Sequence, residues 1–342
     1  MRTESRGFLA SMPEKENLPY ISNLPRVSIG ASKFQSTLGL GRGLTVGSQT
    51  QQGSLKSQFS SPQGSTRSLR WGEERVGTCP SLLHHMDPIL RHLLQREASG
   101  GPRNPDFLSG QGEVSARMRS ILFDWLVDVC VKFRLLAHTL FSATELIDFF
   151  LSIRPVSRQR LQLLGVAALF ITGKIEEIYP PVLKDYVAVC DHAYTPEEIL
   201  AMEGEILVSR GFSLAPTTSL VFLEHFRTRL PLSDRAFAFA HYLLEAALLD
   251  AESLRFANSV LAAGSLLLVS KIFKKSGWTS AHEAVTGVKE PKAKACAKEL
   301  FAVMGRMERS SLTAVRRKFA DPALFEVSNF TIEKVNPPGS LI

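Results

Sequence analysis

From Leu82 onward the apolar residues recur at three- and four-residue steps. Leu82, Met86, Ile89, Leu90, Leu93 and Leu94 form one stripe, the spacing of an amphipathic surface helix. Ser99-Gly100-Gly101-Pro102 ends it, because glycine and proline cannot carry a helix forward cheaply. A second helix follows, with Val114, Met118, Ile121, Leu122, Trp125, Leu126, Val129 and Phe133 along one face. Later segments repeat this period, and no sustained two-residue alternation appears. The pattern predicts an all-α protein.

Two segments are apolar all round. Leu163–Ile175 reads LLGVAALFITGKI and Val260–Ile272 reads VLAAGSLLLVSKI; they align without a gap at an offset of 97 residues. Small residues stand against small ones, and Lys174 falls on Lys271. Leu146-Ile147-Asp148 and Leu243-Leu244-Glu245 align at the same offset. A repeat of this kind predicts two copies of a five-helix unit, each built on a buried central helix that small residues allow neighbours to approach closely.

Composition separates a tail from this body. Of the 41 residues from Ser28 to Ser68, 27 are Ser, Gly, Gln or Thr. Such a stretch buries too little surface to offset backbone ordering entropy, so residues 1–80 are expected to be disordered. Their charge is one-sided, with ten Lys or Arg against five Glu. Over all 342 residues the formal charge is +7, too mild to argue for nucleic acid. Cys79, Cys130, Cys190 and Cys296 are far apart in sequence, which excludes CxxC metal or redox motifs and gives no disulfide framework. The apolar runs are about half of what a bilayer requires, and charges at Arg2, Glu4 and Arg6 break up any signal-peptide core. A soluble intracellular protein, without membrane attachment, is expected.

Catalytic signatures are missing: no phosphate loop, no GxGxxG after a strand, no HExxH, no GxSxG. His84-His85 are adjacent on a helix and diverge, a poor metal site. Glu176-Glu177 and Glu197-Glu198 suit helix ends better than acid–base work. Arg316-Arg317-Lys318 reads as a solvated helix end, with no interleaved aromatics to suggest direct contact with nucleic acid. No enzyme activity, cofactor or metal is expected. Three features point to protein recognition: the Met118–Leu122–Trp125 stripe with charges on its flanks, Lys174 at the end of a long apolar run, and Lys15-Glu16-Asn17 in the tail. By spacing alone, the stripe reads as core packing and the lysine as a helix-dipole residue.

The residues Met118–Phe226 closely resemble the cyclin box of A- and B-type mitotic cyclins. The resemblance rests on MRSILFDWLVDV (Met118–Val129), KFRLL (Lys132–Leu136), LQLLGVAALFITGKIEEIYPP (Leu161–Pro181), DHAYT (Asp191–Thr195) and Met202-Glu203 leading to Gly211-Phe212. It continues more weakly through Trp278 to Ala314–Phe319. Details such as Lys132–Leu136 lean towards the B type. The resemblance implies two tandem five-helix cyclin boxes preceded by a lead helix. The division expected is a regulatory tail at 1–80, lead helix and N-terminal box at 82–215, C-terminal box at 216–328 and an extension at 329–342.

The function implied is that of a non-catalytic regulatory subunit that binds and activates a cyclin-dependent protein kinase at the G2-to-mitosis transition, in nucleus and cytoplasm. Lys174 and Glu203 match the family's kinase-contact pair, while Ile171, Ile175, Leu207, Phe212 and Leu214 match positions that pack on the kinase. Met118, Ile121, Leu122, Trp125, Asp128 and Gln162 match an exposed apolar groove with a rim carboxylate, which docks substrates and inhibitors carrying Arg-x-Leu. Lys15-Glu16-Asn17 resembles the degron read by the anaphase-promoting ubiquitin ligase. Three positions depart from the family: Ile175 replaces an aromatic residue, Asp128 is one methylene shorter than the usual A-type glutamate, and Arg255–Asn258 replaces a Pro-Pro pair. A cyclin-fold transcription factor or a non-activating scaffold are the competing readings.

Overall fold

The computed structural model describes residues 80–100, 105–274 and 277–330. The tail, including Lys15-Glu16-Asn17, and residues 331–342 lie outside them, as do the His84 and His85 side chains. Among the described residues there are twelve α-helices and no strand.

A lead helix, α1 (Pro80–Ser99), precedes the first unit, which comprises α2 (Ala116–Phe133), α3 (Ala137–Ile153), α4 (Leu161–Glu176), α5 (Leu183–Val189) and α6 (Pro196–Ser209). The second unit comprises α7 (Ser219–Arg227), α8 (Asp234–Leu249), α9 (Asn258–Val269, continued by a π turn to Lys274), α10 (Ser280–Thr286) and α11 (Glu290–Glu308). A short α12 (Ala314–Lys318) follows. The helices α8, α9 and α10 each begin 97 residues after α3, α4 and α5, the offset at which the two apolar segments align.

The two apolar segments are the central helices. Every residue of α4 from Leu161 to Gly173 is buried, as is every residue of α9 except Val260. Helix α4 packs on α3 and α6, and α9 packs on α11 and α7. Small residues make the approach close. A Cβ added at Gly264 would lie 2.6 Å from Cys296 Sγ and 3.2 Å from the Ala297 backbone nitrogen. The lead helix fits the predicted stripe only in part: Leu90 is buried and Leu93 and Leu94 are half-buried, but Ile89 is 43% exposed.

Helix starts follow two rules. Some are capped locally. The Ser115 hydroxyl accepts from Met118 N at the start of α2, and Thr195 and Glu198 form a reciprocal capping box on α6, with Pro196 at its first turn. Others begin on residues that cannot cap, and a distant glutamate serves them. Leu136 precedes α3, and Glu177 accepts from Leu136 N at 2.7 Å and from Thr139 Oγ1 at 2.5 Å. Ala257 precedes α9, and Glu97 of α1 accepts from Ser259 N at 2.8 Å and Ser259 Oγ at 2.6 Å. Each carboxylate satisfies orphan N–H groups where the helix dipole favours negative charge.

One buried cation ties the two units together. Arg119, 1% exposed, donates from Nε and Nη2 to the two carboxylate oxygens of Asp148 on α3, both at 2.6 Å. Its Nη1 donates to Leu248 O at 2.9 Å, in the last turn of α8. Beside it, Ser120 Oγ donates to Leu249 O at 2.5 Å.

The central-helix contact gives a paired prediction. Gly264→Ala forces Cys296 and its backbone apart and is expected to cost about 1–3 kcal/mol. Gly204→Ala, on α6 with nothing within 4 Å of the added Cβ, is expected to add about 0.5–1 kcal/mol by restricting the unfolded chain. Urea unfolding of both variants checks this; equal effects would contradict the close approach of α9 and α11.

Candidate functional site

The C-terminal end of α4 and the outer face of α6 meet through charge. Lys174 in the last turn of α4 pairs with Glu203 of α6, and its ammonium lies 4.0 Å from the centroid of the Phe170 ring. Glu203 is the more enclosed partner, at 12% side-chain exposure against 42% for Lys174. Two constraints, an ion pair and a cation–π contact, therefore fix the lysine head at the surface.

The segments that carry this pair also present apolar groups to solvent. Ile175, Ile178, Tyr179 and Val182 lie in and after the last turn of α4, with Ile178 and Tyr179 each nearly 90% exposed. Leu200 and Val208 on α6 and Phe212 just beyond it are exposed as well. Phe212 sits in the left-handed backbone region at φ 59°, next to Gly211 at φ 57°, in the turn that ends α6. Leu207 and Leu214 are half-buried against the core. Ile171, expected from the sequence on this face, is 2% exposed and belongs to the core of α4. Sequence reading missed Ile178, Tyr179, Val182, Leu200 and Val208. The signal available was an apolar pair, Ile178-Tyr179, placed where Pro180-Pro181 forbids a helix.

The residues expected to form the docking groove are largely closed. Met118, Ile121 and Trp125 keep 6–8% exposure, Gln162 keeps 1% and Leu122 none. The exposed groove expected from the sequence is therefore absent at Leu122. Gly165 admits α4 so closely that a Cβ there would fall 2.7 Å from Leu122 Cδ1, which makes Leu122 core. Neither amide atom of Gln162 has a hydrogen-bond partner among the described residues, an arrangement that costs on the order of 1–3 kcal/mol in a buried group. Asp128 is paired with Arg317 of α12.

That pairing corrects the reading of Arg316-Arg317-Lys318 as a solvated helix end. The three cations go to three elements. Arg316 Nη1 donates to Glu308 O at 3.2 Å, Arg317 meets Asp128 on α2, and Lys318 meets Glu245 on α8. Glu245 occupies in the second unit the position that Asp148 holds in the first, so both buried carboxylates are neutralised from outside their own helix. Burial would raise the Glu245 carboxyl, but Lys318, with His241 Nε2 at 3.0 Å, outweighs it and holds the group down to about 2. Glu176 and Glu177 likewise serve structure: Glu176 Oε1 accepts from Ser142 Oγ at 3.1 Å, and Glu177 caps α3.

Cys130, Cys190 and Cys296 are free and buried. Burial pushes the first two thiols up to about 12 and the third higher still, so none forms a thiolate nucleophile at neutral pH. Among the described residues no three His, Cys, Asp or Glu side chains are grouped to hold a metal, and no helix is long and apolar enough to cross a membrane.

Paired five-helix units around buried central helices, with a charged and apolar face on the first, define a tandem helical recognition fold. The family described as cyclin, N-terminal domain, matches residues 88–215, and cyclin, C-terminal domain, matches 217–333. The chain belongs to the cyclin family, in its mitotic branch. It is 36% identical over 241 residues to G2/mitotic-specific cyclin S13-6 of Glycine max, covering 70% of this chain and 53% of that one. To G2/mitotic-specific cyclin S13-7 of the same plant it is 34% identical, covering 69% and 90%. The chain thus spans about half the length of the first relative and most of the second. A viral cyclin from herpesvirus saimiri shares the fold at a TM-score of 0.57 and 19% identity, covering 63% of this chain and 96% of that one.

The buried Glu245 gives a pH prediction. Its folded value near 2 lies below the ordinary 4.5, so its contribution is present above that ordinary value and is lost as pH falls towards 2. The gap of about 3 kcal/mol expected at pH 7 between the parent and Glu245→Gln should close progressively below pH 4.5 in urea unfolding. A gap independent of pH would contradict the assignment.

Proposed function

We propose that this chain is the regulatory subunit of a cyclin-dependent protein kinase, which it binds and activates. The observation that carries the reading is the face around Lys174 and Glu203. A paired, half-enclosed charge lies on the same two segments, the end of α4 with the loop after it and α6 with its closing turn, that carry the exposed Ile175, Ile178, Tyr179, Val182, Leu200, Val208 and Phe212. Large apolar groups gathered on one surface mark a protein partner. The central pair supplies hydrogen-bonding groups that a partner backbone engages while each charge is already compensated.

On this reading the face packs against the kinase helix that carries its catalytic glutamate. Holding that helix inward sets the kinase lysine–glutamate pair needed for phosphoryl transfer. The subunit contributes binding energy for the active conformation and no reacting group. Leu207 and Leu214 back the contact from below; Ile171 supports it from the core.

Substrate recruitment is the second element of the proposal. Met118, Ile121 and Trp125, each 6–8% exposed, form a nearly closed apolar patch on α2 beside the buried Gln162 of α4, supported by Leu122 and flanked by Asp128. The unpartnered Gln162 amide favours a peptide ligand there, since a peptide backbone offers both a donor and an acceptor. Arg-x-Leu segments fit this chemistry, and docking them raises their effective concentration at the kinase. Control of the G2-to-mitosis transition, destruction through Lys15-Glu16-Asn17 by the anaphase-promoting ubiquitin ligase, and residence in nucleus and cytoplasm complete the proposal. These rest on the resemblance.

The test is a kinase assay with the full chain, a monomeric mitotic cyclin-dependent kinase and a histone substrate. Strong stimulation by the parent is expected, reduced at least tenfold in Lys174→Glu and in Glu203→Lys, because loss of one partner of an interfacial charge pair costs about 2–5 kcal/mol. A folded parent that stimulates no such kinase would remove the activator reading.

A further inference from the structure

The face of α2 that carries Ile121 and Trp125 continues one turn later to Asp128, since residues four and seven positions apart share a helix face. A docking peptide with an arginine would place that cation at this carboxylate. The carboxylate is already taken. Arg317 Nη2 donates to Asp128 Oδ1, with the two side chains 48% and 20% exposed. Other charges on α2 lie one turn away: Asp124 accepts from Ala314 N at 2.9 Å, and Lys132 adds a further cation on the exposed side.

Arg317 is delivered by a fixed turn. Besides the Ala314 contact, α12 is anchored by Lys318 on the buried Glu245 and by Phe319, which is fully buried and stacks edge-on against His241 at 5.3 Å. The pair therefore depends on an element that stays in place without it. The short aspartate side chain is paired with α12, and its charge is compensated before any peptide arrives.

Resting on the docking reading above, we propose that Arg317 is a specificity-determining residue of the docking patch. It stands where a peptide arginine would bind, so the patch selects on the apolar residue of the motif and gains little from the arginine. A second guanidinium at this rim meets a neutralised carboxylate and a like charge.

The experiment is fluorescence anisotropy of the full chain with three labelled peptides that differ only in the motif: Arg-x-Leu, Ala-x-Leu and Arg-x-Ala. The parent is expected to bind the first two within about twofold of each other and the third much more weakly. Arg317→Ala should tighten the Arg-x-Leu peptide about fivefold, the scale of an exposed ion pair, and leave Ala-x-Leu unchanged. Arg317→Gln should act likewise, and adding Asp128→Asn should cancel the gain. Thermal unfolding of each variant confirms that α12 remains docked. A parent that already prefers Arg-x-Leu over Ala-x-Leu by fivefold, with no change on Arg317→Ala, would overturn the proposal while leaving docking intact. Binding of none of the peptides, or equal binding of Arg-x-Leu and Arg-x-Ala, would overturn docking itself and the proposal with it.

Discussion

A guanidinium with 1% exposure is stable only when its nitrogens are compensated, and Arg119 achieves this with three acceptor oxygens from two helices. Asp148 takes two of its donors in a bidentate pair, and Leu248 O takes the third at the negative end of α8. The arrangement joins α2 to α3 within the first unit and to α8 across to the second. Truncating Arg119 would leave a carboxylate buried without its cation, a loss of about 3–5 kcal/mol. The contact fixes α2, and with it the proposed docking patch, the Asp124 and Asp128 contacts to the α12 segment and the packing of α4 through Gly165.

The same logic of compensation at a distance recurs. Two helices that begin on Leu136 and Ala257 take their caps from Glu177 and Glu97. Glu177 has a double role, since it lies between Lys174 and the exposed Ile178-Tyr179. By accepting from the start of α3 it holds the first residue of the loop that carries those side chains. Glu97 ties the lead helix to the central helix of the second unit, so α1 braces the body through a polar contact as well as through Leu90. Asp148 and Glu245, equivalent by the 97-residue repeat, are both buried and both neutralised by cations from other helices. The carboxylate is common to both units, but its partner is Arg119 in the first and Lys318 in the second.

The duplication, the two central helices and the role of their small residues were legible in the chain, because each is written in a local pattern of apolar and small residues. The family was legible too, from ordered strings around Lys174 and Trp125. What the pattern could not give was which distant groups meet. Arg119 reads as a flanking charge on an amphipathic helix until Asp148 and Leu248 surround it. Glu177 reads as half of an adjacent pair, and Arg317 as one of a basic run. The burial of Leu122 and Ile171 was hidden for a related reason: a stripe shows which face is apolar, but how deeply each member sinks depends on the neighbouring helix, at Leu122 on a missing side chain at Gly165. The exposed Ile178 and Tyr179 ran against the ordinary expectation that large apolar residues are buried, and a helical period cannot show this in a segment that Pro180-Pro181 keeps out of a helix.

The central claim is that the face built by the end of α4, the loop after it and α6 receives the kinase. Hydrogen exchange of the full chain, with and without a monomeric cyclin-dependent kinase, tests it most directly. Slower exchange on binding is expected across residues 175–182 and 200–214, with α12 and the second unit little changed. Protection confined to the second unit, with no change around Lys174 and Glu203, would contradict the account.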